Sequence, residues 1–213
     1  MTATIDHLIV GADTLAQGAS YVEQHLGVAM QTGGRHVAMG THNCVLKLGP
    51  RVYLEVIAID PAGAAPSRPR WFGLDETATR ERLKERPRLL TWAARTSEIE
   101  AAVTACGLDI GTIHPMARGD YTWRITIPDD GMLVHDGLMP TLIQWDGDAH
   151  PADRLVERGA SLMKLAGRHP QPDALHAALR RLGLESEIEI ENAQRAEISA
   201  TLRGPRGNWT LTG

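Results

Sequence analysis

The chain has 213 residues, enough to bury a substantial core as one large domain or two small ones. Its composition (43% hydrophobic, 23% charged, net charge −4, two cysteines) excludes a disulfide framework and a basic nucleic-acid-binding surface. No apolar run approaches the roughly 18 residues of a membrane span, and MTATIDHLIVGAD lacks a basic n-region, so a soluble cytoplasmic protein is expected. One oddity has no compositional explanation: five Trp stand against a single Phe.

Three times an apolar strand runs into an amphipathic helix that stops at a glycine, at residues 5–28, 89–109 and 161–185. The helical stripes are Leu15, Ala19, Val22, Leu26; then Ile99, Val103, Cys106; then Leu175, Leu179, Leu182. Spacings of three and four mark helices lying on a sheet. Thr14 with Gln17 and Ser97 with Glu100 have capping-box spacing, and Pro172 suits a first helical turn. Gly27, Gly107 and Gly183 suit left-handed C-caps.

Strand-like stretches with turn punctuation follow each helix: THNCVLKL and VYLEVIAI; YTWRITI, MLVHDG and TLIQW; EIEIE, ISATLR and NWTLT. The unit is strand, helix, then two or three strands, with the third copy reading one strand short. The Pro- and Ala-rich stretch 61–75 reads as a long crossing loop, and 146–159 as a linker with a short helix near Ala152–Arg158. The pattern predicts one α+β domain over 1–213, with units of about 1–60, 86–147 and 160–213.

His7 and Glu55 carry the strongest chemical signal. Alternation puts Ile5, His7 and Ile9 on one face of the first strand, and Tyr53, Glu55 and Ile57 on one face of VYLEVIAI. Each strand is otherwise apolar, and a lone buried carboxylate is costly unless paired, hydrogen-bonded or bound to metal. Imidazole and carboxylate suit zinc, iron, manganese or nickel, whereas a buried His–Glu hydrogen bond is the plainer outcome. His42 or Asn43, depending on register, shares the face of Glu55, and Gln144 interrupts TLIQW as a hydrogen-bonding group. Arg70-Trp71-Phe72-Gly73 is either a lid over a pocket or a loop anchored in the core. Cys44 and Cys106 read as inert core thiols.

IDHLIVGADTL, GTHN followed by YLEVIAID, PRWFGLD, TLIQWDG, HPADRL and HPQPDALHAALRRLGL together resemble glyoxalase-like domain proteins of the vicinal oxygen chelate superfamily. The resemblance implies repeated βαβββ units whose curved mixed sheets enclose a cup, with helices on the outer face. It implies a divalent ion held by His7 and Glu55, with Gln144 near the second unit's ligand position. Leu90, Thr91 or Trp92 stand where that unit's other ligand belongs, so the set is incomplete. The function expected is a metal-dependent isomerase, lyase or dioxygenase acting on a small oxygen-containing substrate. The alternative is a metal-free binding or sequestering protein that uses Tyr53 and Trp71 as contact surface. A homodimer is expected from the family's habit of pairing curved sheets.

Overall fold

The computed structural model describes residues 2–213. Strand β1 (Thr4–Gly11) leads through helix α1 (Leu15–Leu26) to β2 (Gln31–His36), β3 (Thr41–Gly49) and β4 (Val52–Ile59). Helix α2 (Thr77–Glu85) precedes the second unit: β5 (Arg88–Arg95), α3 (Ile99–Cys106), β6 (Thr112–Arg118), β7 (Tyr121–Ile127) and β8 (Thr141–Trp145). These eight strands form one mixed sheet in the order β2-β3-β4-β1-β5-β8-β7-β6. β1 and β5, antiparallel neighbours at its centre, join two units of matching order. The sheet curls until its outermost strands, β2 and β6, approach each other.

Its convex face carries Leu8, Val10, Leu54, Val56 and Trp92, packed against apolar residues of α1 and α3. The concave face carries Ile9, Ile57, Ala93, Ile125 and Ile143, closed over by Trp71 and Phe72. Burial on both sides explains why VYLEVIAI reads as a continuous apolar run, since β4 is central and pairs β1 in parallel. The fold is therefore the expected α+β cup with outward helices, completed within one chain.

After the short helix α4 (Pro151–Arg154) come β9 (Ser161–His169), α5 (Pro172–Leu182), β10 (Glu189–Asn192), β11 (Glu197–Gly204) and β12 (Gly207–Thr212). This segment has a full complement of strands but a different order, β10-β9-β11-β12, with β9 and β10 parallel. It is a parallel strand–helix–strand unit followed by a hairpin, and it packs on the convex face through Leu165, Leu175, Leu179 and Ile198. No helix among the described residues is long and apolar enough to cross a membrane.

Local signals held where the backbone alone sets them. Thr14 Oγ1 accepts from Gln17 N at 3.1 Å, and Gly27, Gly107 and Gly183 all have positive φ at their helix ends. They failed where tertiary partners intervened. The Ser97–Glu100 box does not form; α3 is capped instead by Gln144, whose Oε1 accepts from Ile99 N at 2.9 Å. MLVHDG is not a strand: residues Val134–Gly137 form a single tight turn with His135 and Asp136 at positive φ. Helix α2 carries one buried residue, Leu83, and so shows no apolar stripe in the sequence.

Candidate active site

His7 and Glu55 reach the concave face from adjacent parallel strands, and their Nε2 and Oε2 atoms stand 3.7 Å apart. Both side chains are about 6% exposed, so each polar atom must find a partner inside the protein or in a ligand. The ring of His7 stacks on Tyr53 with centroids 4.5 Å apart. Burial and two nearby carboxylates push the Tyr53 hydroxyl well above its ordinary range, so it stays protonated.

Asp6 belongs to this site, contrary to simple alternation. The register between β1 and β5 slips between Ile5 and His7, and this bulge brings Asp6 onto the side of His7 while Ile5 joins the convex core. The Asp6 carboxylate is fully buried, with His7 Nδ1 at 2.6 Å, His150 Nε2 at 2.9 Å and Trp145 Nε1 at 3.0 Å. Burial alone would raise its pKa, but the bonds from His150 and His7 hold it well below the usual carboxylate range. An ionised carboxylate only accepts, so the facing nitrogens of His7 and His150 both carry protons. His150 Nδ1 accordingly accepts from Ala152 N at 3.2 Å. His7 Nδ1 is thereby fixed as a donor, and the ring is held with Nε2 towards Glu55.

Glu55 is held from the other side. Asn43 Nδ2 donates to its Oε1, and Asn43 Oδ1 accepts from Gly34 N at 2.7 Å, which fixes the amide's orientation. Of the two residues left open by register, Asn43 takes the site position. His42 sits opposite Ala58 and alternates to the other face. A Cβ on Gly33 would lie 2.0 Å from Asn43 Oδ1, so Gly33 is what lets this amide in.

His36 is the further participant that the sequence did not reveal. Its Nε2 accepts from Arg118 Nη1 at 3.3 Å and lies 3.8 Å from Glu55 Oε1. Arginine only donates, so the His36 Nδ1–H must donate to Thr41 Oγ1, 3.2 Å away. Burial, reinforced by Arg118 and opposed by Glu55, lowers its pKa to about 4, and it is neutral at pH 7.

His7, His36, Tyr53, Glu55 and Arg118 line a cavity of about 20 Å³, room for a water or the tip of a small molecule. Trp71, Phe72, Trp123, Ile125, Ile143 and Trp145 form its apolar walls. Three of the five tryptophans and the single Phe therefore surround one site. The loop bearing Trp71 and Phe72 is both anchor and cover: the two rings stack at 5.2 Å and are 3% and 8% exposed. The Trp71 indole N–H is buried and has no hydrogen-bond partner among the described residues.

The donor set does not fit the expected divalent ion. A catalytic metal site ordinarily has three protein ligands. The second unit sends Ile143 and Trp145 to the cavity, while the Thr91 hydroxyl donates to Gly137 O at 2.9 Å. The His36 lone pair is taken by Arg118, and one Glu55 oxygen is taken by Asn43. Among the described residues no group of three or more His, Cys, Asp or Glu side chains is placed to hold an ion. Gln144, expected near the second ligand position, faces α3 and Arg124 instead.

Comparison with solved structures places this architecture among known folds. A hypothetical protein from Staphylococcus aureus aligns over all of this chain and 85% of its own, with TM-score 0.60 and 13% identity. Methylmalonyl-CoA epimerase from Streptomyces coelicolor, in complex with 2-nitronate-propionyl-CoA, aligns over 69% of this chain and all of its own, with TM-score 0.44 and 12% identity. The Mycobacterium tuberculosis methylmalonyl-CoA epimerase aligns over 68% of this chain and 89% of its own, with TM-score 0.41 and 16% identity. A search of curated proteins gives no match. A family model described as a glyoxalase-like domain matches residues 5–183, spanning both units of the cup and running on through α5. The chain belongs to the glyoxalase-like domain family, within the vicinal oxygen chelate superfamily.

Proposed function

We propose that the cup is the active site of an isomerase or lyase that moves a proton at a carbon adjacent to a carbonyl, with His7 as general base. The observation that carries this reading is the buried Asp6–His7 pair, 2.6 Å apart, which turns His7 Nε2 towards a small cavity, where as a neutral imidazole it would act as the base. Nε2 takes the proton from carbon, and the C–H electron pair moves into the new C=C bond as the carbonyl oxygen becomes an enolate. The imidazolium formed is stabilised by Asp6 at Nδ1 and by Glu55 facing Nε2 at 3.7 Å. The unpartnered Trp71 N–H in the cavity wall is a donor for the developing oxyanion. Collapse of the enolate returns the proton to carbon or expels a leaving group. Every group in this scheme comes from one chain, so the site needs no second copy.

The binding-module reading is favoured by one observation, the predominance of aromatic and aliphatic side chains in the cavity wall. The two separate in heavy water. Incubated with 2-oxo acids, the enzyme incorporates solvent deuterium next to the carbonyl, and His7→Ala and Glu55→Gln lose this. A binding module gives no exchange with any variant.

A further inference from the structure

Where the curled sheet nearly closes, β2 and the turn after β6 border an open groove of about 490 Å³. Gly33, Gly34, Arg35, Arg118, Tyr121 and Arg154 are among its walls. Arg118 also lines the buried cavity, so its side chain stands at the junction of the two spaces. The groove is unequally neutralised. Arg35 Nε pairs with Asp60 at 3.0 Å, and Arg154 Nη1 with Asp120 at 3.2 Å. Arg118 has no carboxylate oxygen within 4.0 Å among the described residues; its one side-chain bond goes to neutral His36.

A half-buried guanidinium left without an anion is unusual, because its desolvation is offset only by pairing. Its placement is also built into the backbone. A Cβ on Gly34 would come within 2.8 Å of Arg118 Cδ, so the glycine gives the arginine stem its seat across the seam. Five fixed N–H donors make arginine suited to two-oxygen anions, which it binds in bidentate fashion.

We propose that the substrate carries an anionic group, a carboxylate or a phosphate, that docks on Arg118 at the β2–β6 seam while its carbonyl end enters the cavity. The groove gives the anion its route from solvent, and the buried tip of the substrate enters the cavity that His7 and Glu55 line. This assignment rests on the reading of the cavity as the reaction site, and equilibrium binding tests it apart from turnover.

The probes are 2-oxo acids of three to six carbons, their uncharged methyl esters, and inorganic phosphate, followed by tryptophan fluorescence and by melting temperature. At least one acid is expected to bind tenfold or more tightly than its ester. Saturation by phosphate, with the acids competing for it, assigns the anion as phosphate; acid binding that phosphate does not displace assigns it as carboxylate. Arg118→Leu is expected to erase the preference and Arg118→Lys to keep part of it. Gly34→Ala, which leaves every charge in place but crowds the arginine stem, is expected to weaken acid binding several-fold. His7→Ala is expected to abolish deuterium exchange while leaving acid binding intact, which separates failure of this proposal from failure of the catalytic one. Esters binding as well as acids with no affinity for phosphate, or a preference that survives in Arg118→Leu, would overturn the proposal.

Discussion

Replacing Asp6 with Asn keeps the shape of a fully buried side chain and removes its charge. One carboxylate oxygen accepts from His150 at 2.9 Å and Trp145 at 3.0 Å, and the other from His7 at 2.6 Å. An amide has one accepting oxygen, and two donors claim it on the His150 and Trp145 side. The amide NH2 then faces His7 Nδ1, and the imidazole must exchange tautomers so that Nδ1 accepts and Nε2 carries the proton. A base becomes a donor, now directed at Glu55. A tautomer inversion of this kind costs on the order of 10⁴ in rate. The loss in stability is smaller: charge-assisted bonds contribute about 1.5–3 kcal/mol each, but the desolvation cost of the charge also disappears. A net loss of about 2 kcal/mol, or roughly 4–8 °C in melting temperature, is expected for a chain of this size. Nitrogen-15 NMR of the histidine rings reads the tautomer without any substrate. A variant whose His7 keeps its proton on Nδ1, at wild-type stability, would refute the reasoning. Because the Asp6 pKa lies below its unfolded value, its stabilisation is complete above about pH 4 and fades as pH falls further. The variant should lack that acid-side slope.

His36 acts in a different window. With a folded pKa of about 4 against an ordinary 6.5, the unfolded chain binds more protons between these values. Stability should therefore rise with pH through that interval, by at most about 1.4 kcal/mol per pH unit, and level off above it. Urea unfolding of wild type and His36→Gln at pH 4.5 and 7 should give a difference that is larger at pH 7; equal differences would contradict burial of a neutral imidazole. Gln144→Ala should remove the cap of α3, cost about 1 kcal/mol, and leave deuterium exchange unchanged. A large loss of exchange with an unchanged melting temperature would return Gln144 to the site.

The parts of this fold legible in the sequence were those governed by period and backbone. Alternation isolated His7 and Glu55 as ionisable groups on apolar strands, and the fold sets them 3.7 Å apart. The same rule misassigned Asp6, because a one-residue bulge reverses the faces and leaves no mark in IDHLIVG. His36 and Arg118 end two short strands, QTGGRH and TIHPMAR, that the sequence reading did not pick out, and the Gly33-Gly34 pair is the signal that could have marked a close approach there. Gln144 stood in a strand that breaks like β4, yet it faces a helix end that sequence spacing had assigned to Ser97. The third segment shares the strand–helix opening of the other two, and only hydrogen-bond order distinguishes it.

The central claim is that Asp6, His7 and Glu55 perform proton transfer at carbon without a complete metal site. Its most direct measurement is the rate of deuterium incorporation into a 2-oxo acid by protein stripped with chelator, with residual metal quantified in the same sample. Exchange that persists at substoichiometric metal and disappears in His7→Ala is the predicted result. Exchange that vanishes on stripping and returns with one equivalent of zinc, manganese, iron or nickel would contradict the account.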